Sequence, residues 1–330
     1  MSAISRRRFI GSAAAASAFQ LTGSSADAQQ TDWPNRQIKI IAGYPAGGQT
    51  DLFARTYGEY IRNETGQNVV VENKAGASGS VAAAEAKRAA PDGYTLMFTI
   101  TTTMIMNRVL IKDIPYDAEK DFVIVSIMPA GSLPFVVGEK TGAKTLAEFV
   151  AYARKAEKVN VGTYGAGSYA HMAIVEMNKH YGLKIEPVHY RGEAPMWTDL
   201  AGGFIDGAHG SYGAALPVLQ SGRGHAVAVS RKRMSVLPDV PTFTEQGLTP
   251  RLFQLTGFQC CVVPTGTPPE IIQKLSKLLV AGGKSEKVRQ VMKPFGVDDT
   301  AMTFEETQKL YREEAPVWLE AVASLGLTPS

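Results

Sequence analysis

The stretch IKIIAGYPAGGQTD, Ile38 to Asp51, decides how the rest of the chain is read. Ile38, Ile40 and Ile41 form an apolar run that stops at Gly43. A Pro/Gly loop follows, and Thr50-Asp51 opens an amphipathic segment with Leu52, Phe53, Tyr57, Tyr60 and Ile61 at helical spacing. The pattern is a strand, a glycine turn and a helix start. Gly47 and Gly48 can bring bare backbone close to a ligand, and the helix beyond offers unpaired N–H groups at the positive end of its dipole. Such a corner holds a carboxylate or a phosphate. A plain strand-to-helix turn with Thr50 or Asp51 as N-cap explains the same residues, and on this loop alone both readings stand.

Outward from that loop the pattern repeats. QNVVVEN (67–73) is a short strand, residues 74–80 a small-residue loop, 81–90 a helix ended by Pro91-Asp92-Gly93, and 94–99 a third strand. Two strand–helix–strand units in series imply a parallel sheet with right-handed crossovers and all post-strand loops at one edge. Thr99, Thr101, Thr102 and Thr103 then lie beside the first loop, their hydroxyls serving either turn backbone or a ligand. Strands at 121–128 and 133–137, broken by Pro129-Ala130-Gly131, mark a crossing into a second lobe. Thr145 and Glu148 form a capping box for a helix through Ala156. Val159 to Thr163, the turn Gly165-Ala166-Gly167-Ser168 and the helix Tyr169 to Tyr181 repeat the opening arrangement. A strand at 186–190, a helix at 194–200, a strand at 203–209, a helix through Leu219 and a strand at 226–230 complete a second α/β unit. Phe253 to Val263 is one apolar strand long enough to return between lobes, and helices at 268–281, 286–293 and 304–325 finish the chain.

The 330 residues, 45% apolar and 20% charged, can build ordinary cores, most naturally as two lobes. Met1 to Ala28 differs in kind. Arg6-Arg7-Arg8 precede Phe9-Ile10, a mild alanine-rich run and Ala26-Asp27-Ala28, which reads as an export signal cleaved after Ala28. Ser5 to Ile10 fits the twin-arginine type, with the Sec route also open. Its loss removes three arginines and one aspartate and lowers the net charge from +3 to +1. A balanced surface carries no nucleic-acid or membrane footprint. Cys260 and Cys261 are adjacent in FQCCVVP, point to opposite faces of a strand, and read as buried thiols rather than a disulfide.

Several chemistries are weighed and set aside. Gly165 to Ala170 matches GxGxxA between a strand and a helix, the dinucleotide context, but the acid twenty positions on, Glu186, starts its strand instead of ending it. Ser168 and His171 share one helical turn, yet no G-x-S-x-G elbow accompanies them. Ser168 reads better as an N-cap, with His171 packing or donating one hydrogen bond at the rim. The five histidines show no metal-ligand spacing. His209, at a strand end, either faces a cleft or is half-buried. Arg191 could pair with a carboxylate or simply with Glu193.

YPAGGQTD (44–51), VVVENKAGASG (69–79), APDGYTL (90–96), IPYDAEKDF (114–122), GTYGAGSYAH (162–171), LAGGFIDG (200–207) and LPDVPTFTEQG (237–247), in this order, resemble the Bug or TctC-like proteins. Those are the periplasmic substrate-binding subunits of tripartite tricarboxylate transporters, and the resemblance spans the mature chain. It implies an α/β, two-lobed periplasmic-binding-protein-like fold of type II, each lobe a mostly parallel sheet flanked by helices with the ligand cleft between. The lobes would be 29–131 with 256–330, and 132–255. By resemblance one ligand carboxylate sits between the loops at Ala46 to Asp51 and Thr163 to Ser168. Gly47, Gly48, Thr50, Asp51, Gly165, Gly167 and Ser168 line that site, with Thr101 and Asn107 nearby. The full candidate set adds Tyr44, Gln49, Ala166, His171, His209 and Ser211. No cofactor, metal or catalytic residue is expected.

Members often carry an aspartate just past the strand ending here at His209, where this chain has Gly210-Ser211. With Tyr164 and Tyr169 adding aromatic surface, an unaminated aromatic or dicarboxylic acid is expected. The implied partners are a large and a small membrane subunit, the place is the periplasm, and a monomer is expected. A ligand sensor acting on a sensor kinase and an exported dinucleotide-dependent oxidoreductase are the alternatives.

Overall fold

Two five-stranded sheets organise the chain, and the computed structural model describes residues 32–190 and 192–329 of it. The export signal read over residues 1–28 and the candidate carboxylate partner Arg191 lie outside these. The first sheet holds β1 (Ile38–Ala42), β2 (Val69–Asn73), β3 (Thr95–Ile100), β4 (Phe122–Pro129) and, late in the chain, β10 (Phe258–Pro264). Its order is β2-β1-β3-β10-β4, with β1 parallel to both neighbours and β10 antiparallel to β3 and β4. The second holds β5 (Pro134–Gly138), β6 (Val159–Thr163), β7 (Ile185–His189), β8 (Gly207–His209) and β9 (Gly224–Val229). Its order is β7-β6-β8-β5-β9, with β6 parallel to β7 and β8, and β5 antiparallel to β8 and β9. Each sheet is therefore mostly parallel with one strand reversed.

The helices are α1 (Gln49–Thr65), α2 (Ser80–Ala86), α3 (Asn107–Leu110), α4 (Leu146–Lys155), α5 (Tyr169–Tyr181), α6 (Glu193–Ala201), α7 (Tyr212–Gln220), α8 (Pro269–Lys284), α9 (Glu286–Met292) and α10 (Phe304–Ala323). On one face of the first sheet, Phe53 and Tyr57 of α1 and Leu275 and Leu279 of α8 pack with Ile38, Ile40, Phe98 and Cys261. On the other, Ala82, Ala83 and Ala86 of α2 pack with Ile41, Met97 and Cys260. The adjacent cysteines thus enter opposite cores, both free and buried. The Thr145 capping box of α4 forms as read, Thr145 accepting from the Glu148 amide and Glu148 from the Thr145 amide.

Two strand boundaries differ from the sequence reading. Phe253 to Val263 is not one strand: Arg251–Gln254 is a 3-10 turn and β10 begins at Phe258. The intervening backbone is used elsewhere, since the Thr256 amide and hydroxyl donate to the Glu314 carboxylate on α10, at 2.7 and 3.0 Å, and Gly257 accepts from the Ala130 amide at 2.7 Å. Residues 203–206 turn instead of extending β8, because the amides of Gly203 and Phe204 close back onto Leu200 and Asp199. Gly131, in the crossing from β4 to β5, lies against backbone, where an added Cβ would stand 2.5 Å from the Phe295 carbonyl oxygen.

Helix α10 packs against β4 and α3 and also against the 251–254 turn. Its Trp318 meets Tyr169 of α5 edge to face, with ring centroids 5.9 Å apart. One apolar cluster therefore runs from Ile41 and Met97 of the first sheet, through Phe258 and Trp318, to Phe135 and Phe149 beside the second.

Candidate ligand-binding site

The loop after β1 folds as a tied turn that leaves its helix open. Gly47 takes φ +79°, and Gly48 is the N-cap of α1 in extended conformation. The helix thus starts before Thr50 and Asp51, and neither is its cap. Asp51 instead reaches back from the first turn and accepts the Gly47 amide at 2.9 Å and the Asn73 side-chain amide at 2.8 Å. Arg55, one turn on, pairs with it at 2.9 Å. Burial alone would raise the Asp51 carboxyl, but Arg55, the Gly47 amide and Asn73 hold it below the usual carboxylate range. Thr50 donates to the Gln259 side-chain carbonyl of β10 at 2.9 Å. No side chain caps α1, so the amides of Gln49, Thr50 and Asp51 remain open at the positive end of a 17-residue helix.

The matching loop in the second sheet is more fully occupied. Ser168 caps α5, accepting from the His171 amide at 3.4 Å and donating to the Gly165 carbonyl at 2.7 Å. His171 does not donate at the rim: its Nδ1 accepts the Gly167 amide at 3.2 Å, and its ring lies 4.5 Å from that of His189. Thr163 bonds His189 Nδ1 at 2.7 Å and the Gly165 carbonyl at 3.2 Å. Tyr164 and Tyr169 stand on the cleft side of this loop. Gly167 takes φ +75° with Leu110 of α3 directly opposite.

Between these loops lies a cleft of about 700 Å³. Of the candidate residues, Tyr44, Ala46, Gly48, Gln49, Thr50, Thr101 and Ser211 line it. Gly47 and Asp51 shape the first loop from behind, and Thr163, Gly165, Ala166, Gly167, Ser168 and His171 build the second behind Tyr164 and Tyr169. Asn107 is turned away, its amide donating to the Ser78 carbonyl at 3.0 Å and to Tyr116 at 3.1 Å. Thr99 and Thr103 bond each other at 2.7 Å, and Thr101 accepts the Phe258 amide at 2.9 Å, so these hydroxyls serve the framework. Sequence reading gave no place in the site to Glu193, Arg231, Gln259, Phe258 or Trp318, all on the cleft wall. They arrive from four distant segments, and only the FQCCVVP strand, read as passing back between lobes, offered a hint.

His209 is fully buried instead of facing the cleft. Its Nε2 is 3.1 Å from the Leu133 carbonyl, and its ring packs on Phe135, Tyr169 and Phe243. Burial lowers both His209 and His171 to about 4, the neighbouring His189 adding to the effect on His171. Both are neutral above the unfolded value of 6.5. As pH falls the unfolded chain takes the protons first, so their contribution to stability is full above 6.5 and is lost down to about 4. For each histidine that is about 3 kcal/mol at most. Thermal melts should therefore fall steeply across this window, and His209→Gln should flatten the slope; an unchanged slope would contradict the neutral, buried assignment.

Among the described residues no group of histidine, cysteine, aspartate and glutamate could hold a metal ion, and no helix is long and apolar enough to cross a membrane. Glu186, the acid that a dinucleotide loop would need, sits at the start of β7 and pairs with Lys158 at 2.9 Å on the surface.

The profile of the tripartite tricarboxylate transporter family receptor, TctC, matches residues 53–327. A UPF0065 protein of Bordetella bronchiseptica is 30% identical over 303 residues, covering 92% of this chain and 89% of its own. Protein BugT of Bordetella pertussis is 28% identical over 307 residues, covering 92% and 94%. Among solved structures, R. palustris Rpa4515 with adipate is 26% identical with a TM-score of 0.79 and covers 91% of this chain and 100% of that one. MatC from Rhodopseudomonas palustris with bound malate is 27% identical with a TM-score of 0.71, covering 88% and 99%. With a profile match across most of its length, relatives along nearly all of it and the same two-sheet architecture, the chain belongs to the TctC, or Bug, family of tripartite tricarboxylate transporter receptors.

Proposed function

We propose that this chain is an exported, periplasmic receptor that captures a small carboxylate in the cleft and delivers it, unchanged, to the large and small membrane subunits of a tripartite transporter. The observation that carries this reading is the uncapped N-terminus of α1, whose amides open on a cleft of about 700 Å³. A carboxylate seated there accepts charge-assisted bonds from backbone donors that otherwise lack partners. Each contributes about 1.5–3 kcal/mol, and several of them, less the cost of ordering, suit micromolar capture. The adipate- and malate-bound neighbours point to the same ligand class. The lobes are taken as 29–131 with 256–330, and 132–255, closing about the crossings near Gly131 and Gly257. Tyr164, Tyr169, Phe258 and Trp318 give the cleft an aromatic middle.

A thermal-shift screen of the mature protein against mono-, di- and tricarboxylates, aromatic acids, amino acids and nicotinamide cofactors tests the proposal. At a hundredfold excess over Kd a ligand should add about 2.7 kcal/mol of stability, a shift of several degrees. Silence from every carboxylate with a shift from a dinucleotide would replace this reading with the oxidoreductase one.

A further inference from the structure

The cleft is electrically one-sided. Four helix N-termini, those of α1, α5, α6 and α7, reach its wall, and of these only α5 carries a side-chain cap, Ser168. At α7 the Glu193 carboxylate accepts the Ser211 amide at 3.0 Å and the Ser211 hydroxyl, at the N-cap position of the helix. The uncapped α1, at 17 residues, is longer than α6 or α7. Among the described residues the one cationic side chain on the wall, Arg231, is committed to Asp299. Glu193 is therefore the anion of the cleft. A carboxylate offers about four lone-pair sites, Ser211 engages two of them, and Glu193 itself lines the cleft.

We propose that Glu193 is a specificity-determining residue, selecting an acid with a single carboxylate at α1 and a hydrogen-bond donor, hydroxyl or ammonium, at its far end. This rests on the receptor reading above and narrows it. A second carboxylate directed at Glu193 would meet a like charge with no free cation among the described residues of the wall, which disfavours diacids. A donor there completes the lone pairs of Glu193. The missing acid at Gly210-Ser211 is the ground for expecting an unaminated ligand, and on this proposal Glu193 makes up for it. The carboxylate is supplied to that corner from α6, where the Glu193 carboxyl carbon lies 3.2 Å from the place of a Gly210 Cβ.

Calorimetric titration of the mature protein with two matched series tests this: adipate, 6-hydroxyhexanoate and 6-aminohexanoate, then terephthalate, 4-hydroxybenzoate and 4-(aminomethyl)benzoate. In the series that fits the cleft, a donor-ended acid should bind roughly tenfold or more tightly than its diacid, and Glu193→Gln should shrink that ratio several-fold. A diacid that binds the unaltered protein as well as its donor-ended partner overturns the inference and leaves the receptor reading in place. So does a ratio that Glu193→Gln leaves unchanged. Silence from every acid in both series overturns both.

Discussion

Replacing Gln49 with proline should lower the affinity for a carboxylate roughly ten- to a hundredfold while leaving the melting temperature nearly unchanged. Gln49 is the first residue of α1, where the N–H has no intrahelical partner and proline is well tolerated. Gly48 before it is extended, at φ −77° and ψ 168°, in the region that a residue preceding proline adopts. The Gln49 side chain makes only a marginal 3.5 Å contact with Gln259, so little packing is lost. What disappears is one of the backbone donors at the positive end of the helix. A charge-assisted bond to a carboxylate contributes about 1.5–3 kcal/mol, and each 1.4 kcal/mol is tenfold in affinity. Calorimetry and thermal melts on the same variant separate the two effects. Unchanged affinity would move the ligand's acid group away from α1; a large loss of stability would make that amide structural.

Asp51→Ala should have the larger effect on the fold, lowering stability by about 3 kcal/mol and disordering the ligand loop. Asp51 is 3% exposed and gathers the Gly47 amide, the Asn73 side chain and Arg55. Without it the first two donors lose their acceptor, and the Gly47 turn loses its tie to the helix. Arg55 is half-exposed and screened, so its share of the loss is small. Asn73 also donates to the Tyr44 carbonyl at 3.0 Å, so the disturbance reaches the cleft wall. The pH dependence identifies the cause. The Asp51 carboxyl is held below its ordinary value, so its stabilisation is full above that value and is lost as pH falls through the lowered one. The gap between the two proteins, measured by denaturant or thermal melts, should be complete at neutral pH and close in acid. A gap independent of pH would point to lost packing instead of the charge.

Much of the architecture was legible locally. The spacing of Leu52, Phe53, Tyr57 and Ile61, the Thr145–Glu148 box and the Ser168 cap each describe contacts within a few residues, and the structure realises them. Positions whose hydrogen-bond partners are distant in sequence were read less well. Thr256 looked like strand interior, but its donors are taken by Glu314, 58 residues on, so β10 starts late. His209 ends its strand as read, yet Phe135, Tyr169 and Phe243 enclose it.

The same division runs through the site. The sequence by itself determined the strand, glycine turn and helix start at Gly47 to Asp51, because glycine conformational freedom and unpaired first-turn amides are properties of the local backbone. It also determined the family and the two-lobed plan, through motifs in fixed order. Only the tertiary structure decided which side chains face the ligand and what charge they carry. Gln259, Arg231, Trp318 and Glu193 reach the cleft through sheet order and helix docking, and whether Glu193 faces solvent or the Ser211 amide is set by the placement of α6 against α7. Burial and hydrogen-bond partnership are relations between distant segments, and no periodicity within one segment encodes them.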